Sequence, residues 1–130
     1  MSDAWKPPGY SSVSPYLVTE RAQQVIDFLV SSLGATALRR YENEDGSIMH
    51  AEVRIDDTVV MIGEAGENWP PVPSHLHVYV PDVDAAYERA LAAGGEAVQA
   101  PVRREGDPDR RGGVRDPGGN TWWLSTRAGE

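Results

Sequence analysis

The residues best suited to chemistry in this chain lie between His75 and Tyr79, in the sequence HLHVY. His75, His77 and Tyr79 alternate there with apolar residues, a period that places the three side chains on one face of a strand. Neutral imidazoles can ligate a divalent metal, act as general bases or bond to a ligand. We therefore predict that these residues contact a ligand, with His75 and His77 as candidate catalytic residues. In the alternative interpretation, a neighbouring strand satisfies both imidazoles.

A second pair with chemical potential lies in the sequence MHAEVRI. His50 and Glu52 are two residues apart, so they share one face of a predicted strand. They form an improvised acid–base or metal-binding pair, or alternatively part of a solvated or cross-strand-paired face. His75, His50 and Glu52 are the weak candidates for metal ligands.

A strand followed by a helix must position the two neighbouring histidines. Pro81 ends the strand, and Asp82 can accept hydrogen bonds from the free amides of a helix predicted over 83–93. Apolar residues recur at helical spacing in this segment, and Gly94 can end it. The helix needs the apolar face of the strand for burial, which leaves the histidine face for another contact.

The same order of elements occurs in both halves of the chain. In the first half, Thr19 is the predicted N-cap of a helix over 22–33, and Gly34 ends that helix. We predict an α+β fold of two βαβββ modules in tandem, whose paired sheets form a curved mixed-sheet cleft. The predicted strands are 12–18, 37–42, 49–55 and 58–63 in the first half, and 75–80, 96–102, 112–115 and 121–125 in the second.

These elements define one domain with five segments. The segments are an N-terminal arm over 1–11, a first module over 12–64, a linker over 65–73, a second module over 74–126 and a C-terminal tail over 127–130.

Composition excludes several function classes. The 130 residues are 40% hydrophobic and carry a net charge of −8, so phosphate backbones and anionic membranes would repel the chain. We expect neither nucleic acid nor membrane as a partner. The sequence has no cysteine, which excludes disulfides and thiolate chemistry. It also shows no signal-peptide pattern or apolar run of membrane-spanning length, so we expect a cytoplasmic protein.

Two stretches, HLHVYVPDVDAAYERALAAGG and RGGVRDPGGNTWWLSTR, carry a family resemblance together with the repeated βαβββ order. The chain resembles the vicinal oxygen chelate superfamily of glyoxalases, bleomycin-resistance proteins and extradiol dioxygenases, with its nearest likeness to the PhnB-like branch. The likeness extends from about Ser12 to Thr126. It implies a homodimer with a U-shaped cleft on the concave sheet face, where enzymes of the superfamily hold a divalent metal.

The resemblance also implies where a metal would be held, with one ligand from each of four strands. The corresponding positions here are Ser14, Met61, His75 and Trp123. Of these, only the imidazole is a good ligand, because a neutral serine is weak, a thioether suits Cu(I) and an indole offers no lone pair. We therefore expect no cofactor, with a divalent metal as the alternative.

The same correspondence places Trp123 in the cleft as a flat apolar platform, with Trp122 packed under a helix on the opposite face. Alternatively, Trp123 only fills the cleft. Arg110 or Arg111, in a charged loop, can steer an anionic ligand, whereas Glu64 and Glu67 are predicted surface charges. The predicted ligand-binding residues are Tyr16, Met61, Trp69, His75, His77, Tyr79, Arg111 and Trp123.

Three functions fit this sequence. The first is a metal-independent binding protein that sequesters an aromatic or amphipathic ligand, as antibiotic-resistance members of the superfamily do. The second is a metal-dependent lyase or isomerase of the glyoxalase type. The third is a metal-free enzyme in which His75 or His77 is the base.

Overall fold

The computed structural model describes residues 5–129, and these form two βαβββ units in tandem. The first unit comprises β1 (Tyr16–Thr19), α1 (Ala22–Leu33), β2 (Thr36–Glu42), β3 (Ile48–Ile55) and β4 (Thr58–Glu64). The second comprises β5 (His75–Tyr79), α2 (Val83–Ala92), β6 (Glu96–Val102), β7 (Asp109–Arg115) and β8 (Thr121–Arg127). The predicted α+β fold is confirmed. None of the helices in this described part has the length and apolar character to cross a membrane.

Each unit forms its own four-stranded mixed sheet. The strand orders are β1-β4-β3-β2 and β5-β8-β7-β6, so the two sheets have the same topology. In each, the first strand pairs in parallel with the last strand of the unit, and the other pairs are antiparallel. This follows from the crossover helix, which returns the chain to the same end of the sheet.

The two helices contact each other and share one hydrophobic core with buried residues of both sheets. Val25 and Phe28 of α1, Ala86 of α2 and Trp122 of β8 belong to this core. Each sheet therefore buries one face under the helices, and its other face is called its open face below.

Two strands begin more than one residue away from their predicted starts. β1 begins at Tyr16, four residues later than predicted, so that Ser14 precedes the strand and bonds to Ser11 at 3.1 Å. β7 begins at Asp109, three residues earlier than predicted, because Asp109 pairs with Arg127 at the far end of β8. The first residues of β7 are charged and give no strand pattern of their own. They belong to the strand because they pair with the end of β8, which a local sequence pattern does not reveal.

Helix α1 begins at Ala22 as predicted, but its N-cap was predicted wrongly. Thr19 is the buried end of β1, and the helix begins after Arg21, whose backbone is left-handed at a φ of 58°. The carboxylate of Glu64 on β4 accepts hydrogen bonds from the amides of Arg21 at 3.1 Å and Ala22 at 3.0 Å. Glu64 therefore caps α1 and is not a free surface charge. In α2, the predicted cap is confirmed, because the Asp82 carboxylate accepts from Ala85 N at 3.1 Å.

A buried carboxylate organises the turn between β7 and β8. Asp116 is 4% exposed and accepts hydrogen bonds from Gly118 N at 2.9 Å, Asn120 N at 3.0 Å and the Trp122 indole at 2.9 Å. The Asn120 side-chain oxygen in turn accepts from Ser74 N at 3.1 Å, just before β5. One carboxylate therefore fixes the start of β8 and, through Asn120, the start of β5.

We expect Asp116→Asn to lower the free energy of unfolding by about 2 to 3 kcal/mol, because an amide of the same shape presents NH₂ to buried donors. Urea unfolding of the variant and the natural chain measures the difference. Asp27→Asn is the control, since this exposed carboxylate on α1 accepts from the side chain of Gln23 and should change stability by less than about 0.5 kcal/mol. Equal effects of the two substitutions would contradict the role given to Asp116.

Candidate ligand site

The open face of the second sheet gathers the predicted aromatic and imidazole side chains. His75, His77 and Tyr79 on β5 are exposed, and Trp123 on β8 is half-buried beside them, because His77 and Trp123 are partners in the parallel ladder. Trp122 is fully buried in the core. The prediction that the two tryptophans lie on opposite faces of β8 is confirmed.

His75 and Trp123 form one flat surface. The indole Nε1–H of Trp123 donates a hydrogen bond to His75 Nδ1 at 3.2 Å, and the ring planes differ by only 7°. An indole N–H lies in the plane of its ring, so this bond places the two parallel rings edge to edge and not face over face. The centroid separation of 6.3 Å agrees with that arrangement. A planar ligand can lie across both rings.

Gly113 on β7 gives the Trp123 ring its space. A Cβ atom at position 113 would lie 2.6 Å from Cζ3 and 2.8 Å from Cε3 of the indole. Gly113 and Trp123 are ladder partners, so the ring leans over the glycine backbone. Any side chain at 113 would displace the aromatic surface.

His77 is held by a buried hydroxyl. Its Nε2 lies 3.0 Å from Ser125 Oγ, which also accepts a hydrogen bond from Arg111 Nε at 3.0 Å. The Tyr79 ring packs edge-on against His77, with centroids 4.9 Å apart. Ser125 was not predicted, although it alternates in phase with Trp123 and the strand period alone places both on one face.

Arg111, predicted to bind the ligand, lies at this face but is engaged by carboxylates. Its guanidinium bonds to Asp107 at 2.9 Å and to Asp109 at 3.4 Å. Tyr79 donates to Asp109 at 2.7 Å, and this bond raises the pKa of the Tyr79 phenol. Arg110 pairs with Asp84 of α2, on the helix side of the sheet. Both guanidinium groups are therefore paired with carboxylates, and neither is free to bind an anionic ligand.

The first sheet carries a second polar cluster on its open face. His50 Nε2 bonds to Glu52 at 2.8 Å, and His50 Nδ1 lies 3.2 Å from the Tyr16 hydroxyl. Trp69 packs edge-on against Tyr16, with centroids 6.4 Å apart. Glu52 is only 4% exposed, so the solvated alternative is wrong at this residue.

Residues 5–12 explain the burial of Glu52. The Tyr10 hydroxyl donates to Glu52 at 2.5 Å, and the Gly9 carbonyl accepts from Arg54 at 3.1 Å. A cavity of about 330 Å³ under this segment is lined by Trp5, Lys6, Pro7, Tyr10, Ser11, Ser12, Arg39, Glu52 and Met61. The segment therefore covers part of the first open face.

The predicted lining residues are consequently divided. Tyr16 joins His75 and His77 in lining a cavity of about 340 Å³ between β1 and β5. Met61 instead lines the cavity under residues 5–12. Trp69 is half exposed and contacts Tyr16, which joins it to the residues that line the first of these two cavities.

The four positions at which the superfamily's enzymes hold a metal do not form a fitting donor set here. Ser14 bonds to Ser11, Met61 is a thioether, and Trp123 donates its N–H to the Nδ1 lone pair of His75. Within residues 5–129, no group of three or more His, Cys, Asp or Glu side chains could hold a metal ion. His50 and Glu52 stand as a pair, and the hydroxyls of Tyr16 and Tyr10 bond to them.

Glu52 has a perturbed ionisation. Burial alone would raise the pKa of its carboxyl, but the hydrogen bonds from Tyr10 and His50 outweigh burial and lower that pKa. The same bond to Glu52, followed by burial, raises the pKa of Tyr10. A lowered folded-state pKa stabilises the fold above the unfolded value of about 4.3.

Tyr10→Phe should lower the free energy of unfolding by about 1 to 2 kcal/mol at pH 7, because the buried carboxylate loses a donor. The difference from the natural chain should shrink as the pH falls through the folded-state pKa of Glu52, where protonation removes the charge. Unfolding in urea between pH 3 and pH 7 measures it. Tyr41→Phe is the matched control, since this exposed tyrosine only packs near His50. A pH-independent difference for Tyr10→Phe would contradict the account of Glu52.

Comparison with known proteins identifies the family to which this architecture belongs. The family model described as Glyoxalase/Bleomycin resistance protein/Dioxygenase superfamily matches residues 12–124. An uncharacterized protein of Mycobacterium bovis, Mb0911c, is 36% identical over 124 residues, covering 87% of this chain and 81% of the relative.

Two solved structures are similar along nearly their whole length. TioX from Micromonospora sp. ML1 is 27% identical with a TM-score of 0.76, covering 90% of this chain and 98% of TioX. TnmS3, an antibiotic binding protein from Streptomyces sp. CB03234, has the same fold, with 22% identity, a TM-score of 0.68, and 92% and 100% coverage. The chain therefore belongs to the glyoxalase/bleomycin resistance protein/dioxygenase superfamily.

Proposed function

We propose that this protein binds a planar aromatic or amphipathic small molecule on the open face of its second sheet, without a metal, and sequesters it. The observation that carries the proposal is the flat surface of His75 and Trp123, with the indole leaning over Gly113. Aromatic surfaces of this kind bind planar ligands by stacking and bury large areas at low entropic cost. The description of TnmS3 as an antibiotic binding protein supports an antibiotic as the kind of ligand.

The chemistry of the donors supports metal independence. Catalytic zinc sites hold their ion with three protein ligands that have available lone pairs. At the superfamily's metal positions, the Nδ1 lone pair of His75 is engaged by the Trp123 N–H, and neither Ser14 nor Met61 is a suitable ligand. The polar pair His50 and Glu52 is the remaining basis for a glyoxalase-type lyase or isomerase, and it would have to give up its bonds to each other and to Tyr10.

The same hydrogen bonds weigh against His75 or His77 as a general base. Each imidazole has one lone pair in its neutral form. Trp123 donates to His75, and the hydroxyl of Ser125 lies within hydrogen-bonding distance of His77 Nε2. A base would have to break such a bond before it could accept a substrate proton.

A second copy of the chain completes this proposal. The open faces of the two sheets carry exposed Tyr16, Tyr41, Trp69 and Tyr79, and a homodimer can enclose them around the ligand. Sedimentation velocity should give the mass of two chains, with the dimer retained in all of the variants below that fold. A monomer at micromolar concentration would contradict this part of the proposal.

Trp123→Ala should weaken binding of planar aromatic compounds by at least about tenfold, because half of the flat surface is lost. The measurement is quenching of intrinsic fluorescence during titration with a panel of planar antibiotics. Trp5→Ala is the control, because Trp5 is an exposed tryptophan on the segment that covers the first sheet. Binding that survives Trp123→Ala, or that vanishes after EDTA dialysis and returns with Zn²⁺, would overturn the proposal.

A second variant tests the same surface without removing a tryptophan. Gly113→Ala should displace the indole and reduce affinity to a similar degree, since the new Cβ would lie 2.6 Å from Trp123 Cζ3. Gly66→Ala is its control, because a Cβ at position 66 meets nothing within 4 Å. Unchanged affinity in Gly113→Ala, with the fold intact by circular dichroism, would show that the indole does not bind the ligand.

A further inference from the structure

A row of hydrogen-bonded side chains crosses the open face of the first sheet. The Tyr10 hydroxyl donates to one oxygen of the Glu52 carboxylate at 2.5 Å, and His50 Nε2 lies 2.8 Å from the other oxygen. On its far side, His50 Nδ1 lies 3.2 Å from the Tyr16 hydroxyl. The row therefore leads from a buried carboxylate through an imidazole to the exposed phenol of Tyr16.

The charge of Glu52 determines the direction of these hydrogen bonds. The pKa of its carboxyl is lowered, so the group is ionised at neutral pH and can only accept. His50 Nε2 must then carry the proton of the bond to Glu52. In the neutral imidazole the lone pair is left on Nδ1, where it faces the Tyr16 hydroxyl. Tyr16 therefore donates to His50, and His50 donates to Glu52.

Gly63 of β4 leaves the space in which the Tyr16 hydroxyl lies. The Tyr16 side chain extends from β1 across β4 to reach His50 on β3. A Cβ atom at position 63 would lie 3.0 Å from the phenol oxygen and 3.4 Å from Cε1. The bond to His50 is exposed to solvent, and the phenol oxygen has no second hydrogen-bond partner among residues 5–129. Its lone pairs are therefore open to a small molecule.

The partner of Tyr16 distinguishes it from two other hydrogen-bonded tyrosines. Tyr10 and Tyr79 donate to carboxylates, and these bonds raise the pKa of both phenols. An imidazole, with a reference pKa of about 6.5, is a stronger base than a carboxylate at about 4.3. The Glu52 carboxylate also stabilises the imidazolium that forms when His50 accepts a proton. Tyr16 thus has a neighbour that can take its proton.

We propose that Tyr16, His50 and Glu52 form a nucleophilic site, in which the Tyr16 oxygen attacks the activated acyl group of a small molecule. A hydroxyl, an imidazole and a carboxylate in a row form the arrangement by which hydrolases activate a serine. The Tyr16 oxygen forms a bond to the acyl carbon while its proton passes to Nδ1 of His50. The bond between the acyl carbon and the leaving group breaks, and the leaving group departs with that electron pair and takes the proton from His50. The product is an ester of Tyr16.

This inference goes beyond the proposed function, because it adds covalent chemistry to reversible binding. The reaction uses no metal and no residue of the flat surface of His75 and Trp123, so it is tested separately from ligand binding. His50 breaks no hydrogen bond in order to act, since the bond from Tyr16 already carries the proton that it accepts. Assistance by a general base typically raises a rate by about 100- to 10,000-fold.

The direction of the row can be tested without any reagent. Long-range ¹H–¹⁵N correlation of the ¹⁵N-labelled protein at pH 8 distinguishes protonated from unprotonated ring nitrogens. The chain has 3 histidines, and the signals lost in His50→Gln identify this ring. We expect a protonated Nε2 and an unprotonated Nδ1 in His50. A proton on Nδ1 would overturn the proposal, because the imidazole could not then accept from Tyr16.

The reactivity of Tyr16 is tested with p-nitrophenyl acetate, whose acetyl group is activated and whose leaving group absorbs visible light. Tyr41 is the internal control, since it is similarly exposed, at 50% against 41%, and its ring also contacts His50. At pH 8, tandem mass spectrometry of the digested protein should show acetylation of Tyr16 at least about ten times faster than that of Tyr41. Equal rates at the two tyrosines would overturn the proposal.

Two variants separate the chemistry from the structure. In His50→Gln the amide can keep a hydrogen bond to each neighbour but is not a base, so acetylation of Tyr16 should slow to the rate of Tyr41. Glu52→Gln should also slow it, whereas Glu67→Gln, at an exposed carboxylate between the two units, should leave it unchanged. Circular dichroism checks the fold of each variant, and His50→Gln decides if Glu52→Gln unfolds. Fast acetylation of Tyr16 in folded His50→Gln would contradict the role of the imidazole.

Discussion

The candidate site depends on the hydrogen bonds that the buried carboxylate of Asp116 accepts. It accepts the indole proton of Trp122, so that this ring is held in the core and the next residue, Trp123, must project from the opposite face of β8. Through Asn120 it also fixes Ser74, the residue before His75. The Asp116 carboxylate thus positions both rings of the flat surface. The hydrogen bonds that it accepts offset the cost of removing it from water.

The two units repeat one topology but differ on their open faces. In the first unit, Tyr10 reaches across to Glu52 and residues 5–12 cover part of the sheet, where they line a cavity with Met61. In the second unit, His75, His77 and Tyr79 remain exposed. A buried, ionised Glu52 is stabilised only while Tyr10 and His50 donate to it. The polar cluster of the first sheet is therefore tied to the segment above it.

Local periodicity was sufficient to predict the architecture, and non-local contacts account for the errors. Two kinds of pattern depend only on residues close together in the chain: the alternation in β5 and β8, and the apolar stripes of the helices. Both can therefore be predicted from the sequence. The cap of α1 comes instead from Glu64, on another strand, and the start of β7 from pairing with Arg127. The contact of Tyr10 with Glu52 joins residues 42 positions apart through a segment with no period. Contacts of this kind depend on the completed fold.

The superfamily resemblance implies a metal site, and the candidate site differs from it in the chemistry of one neighbour of His75, the residue at position 123. A carboxylate at position 123 would leave the lone pairs of His75 available to a shared cation, whereas an indole there donates to Nδ1 and moves the imidazole proton to Nε2. The same histidine then offers a proton where a metal ligand offers a lone pair. Gly113 makes the exchange sterically feasible, since the larger ring needs the space of a missing Cβ. The loss of a metal-ligating lone pair at His75 thus requires no change in the fold.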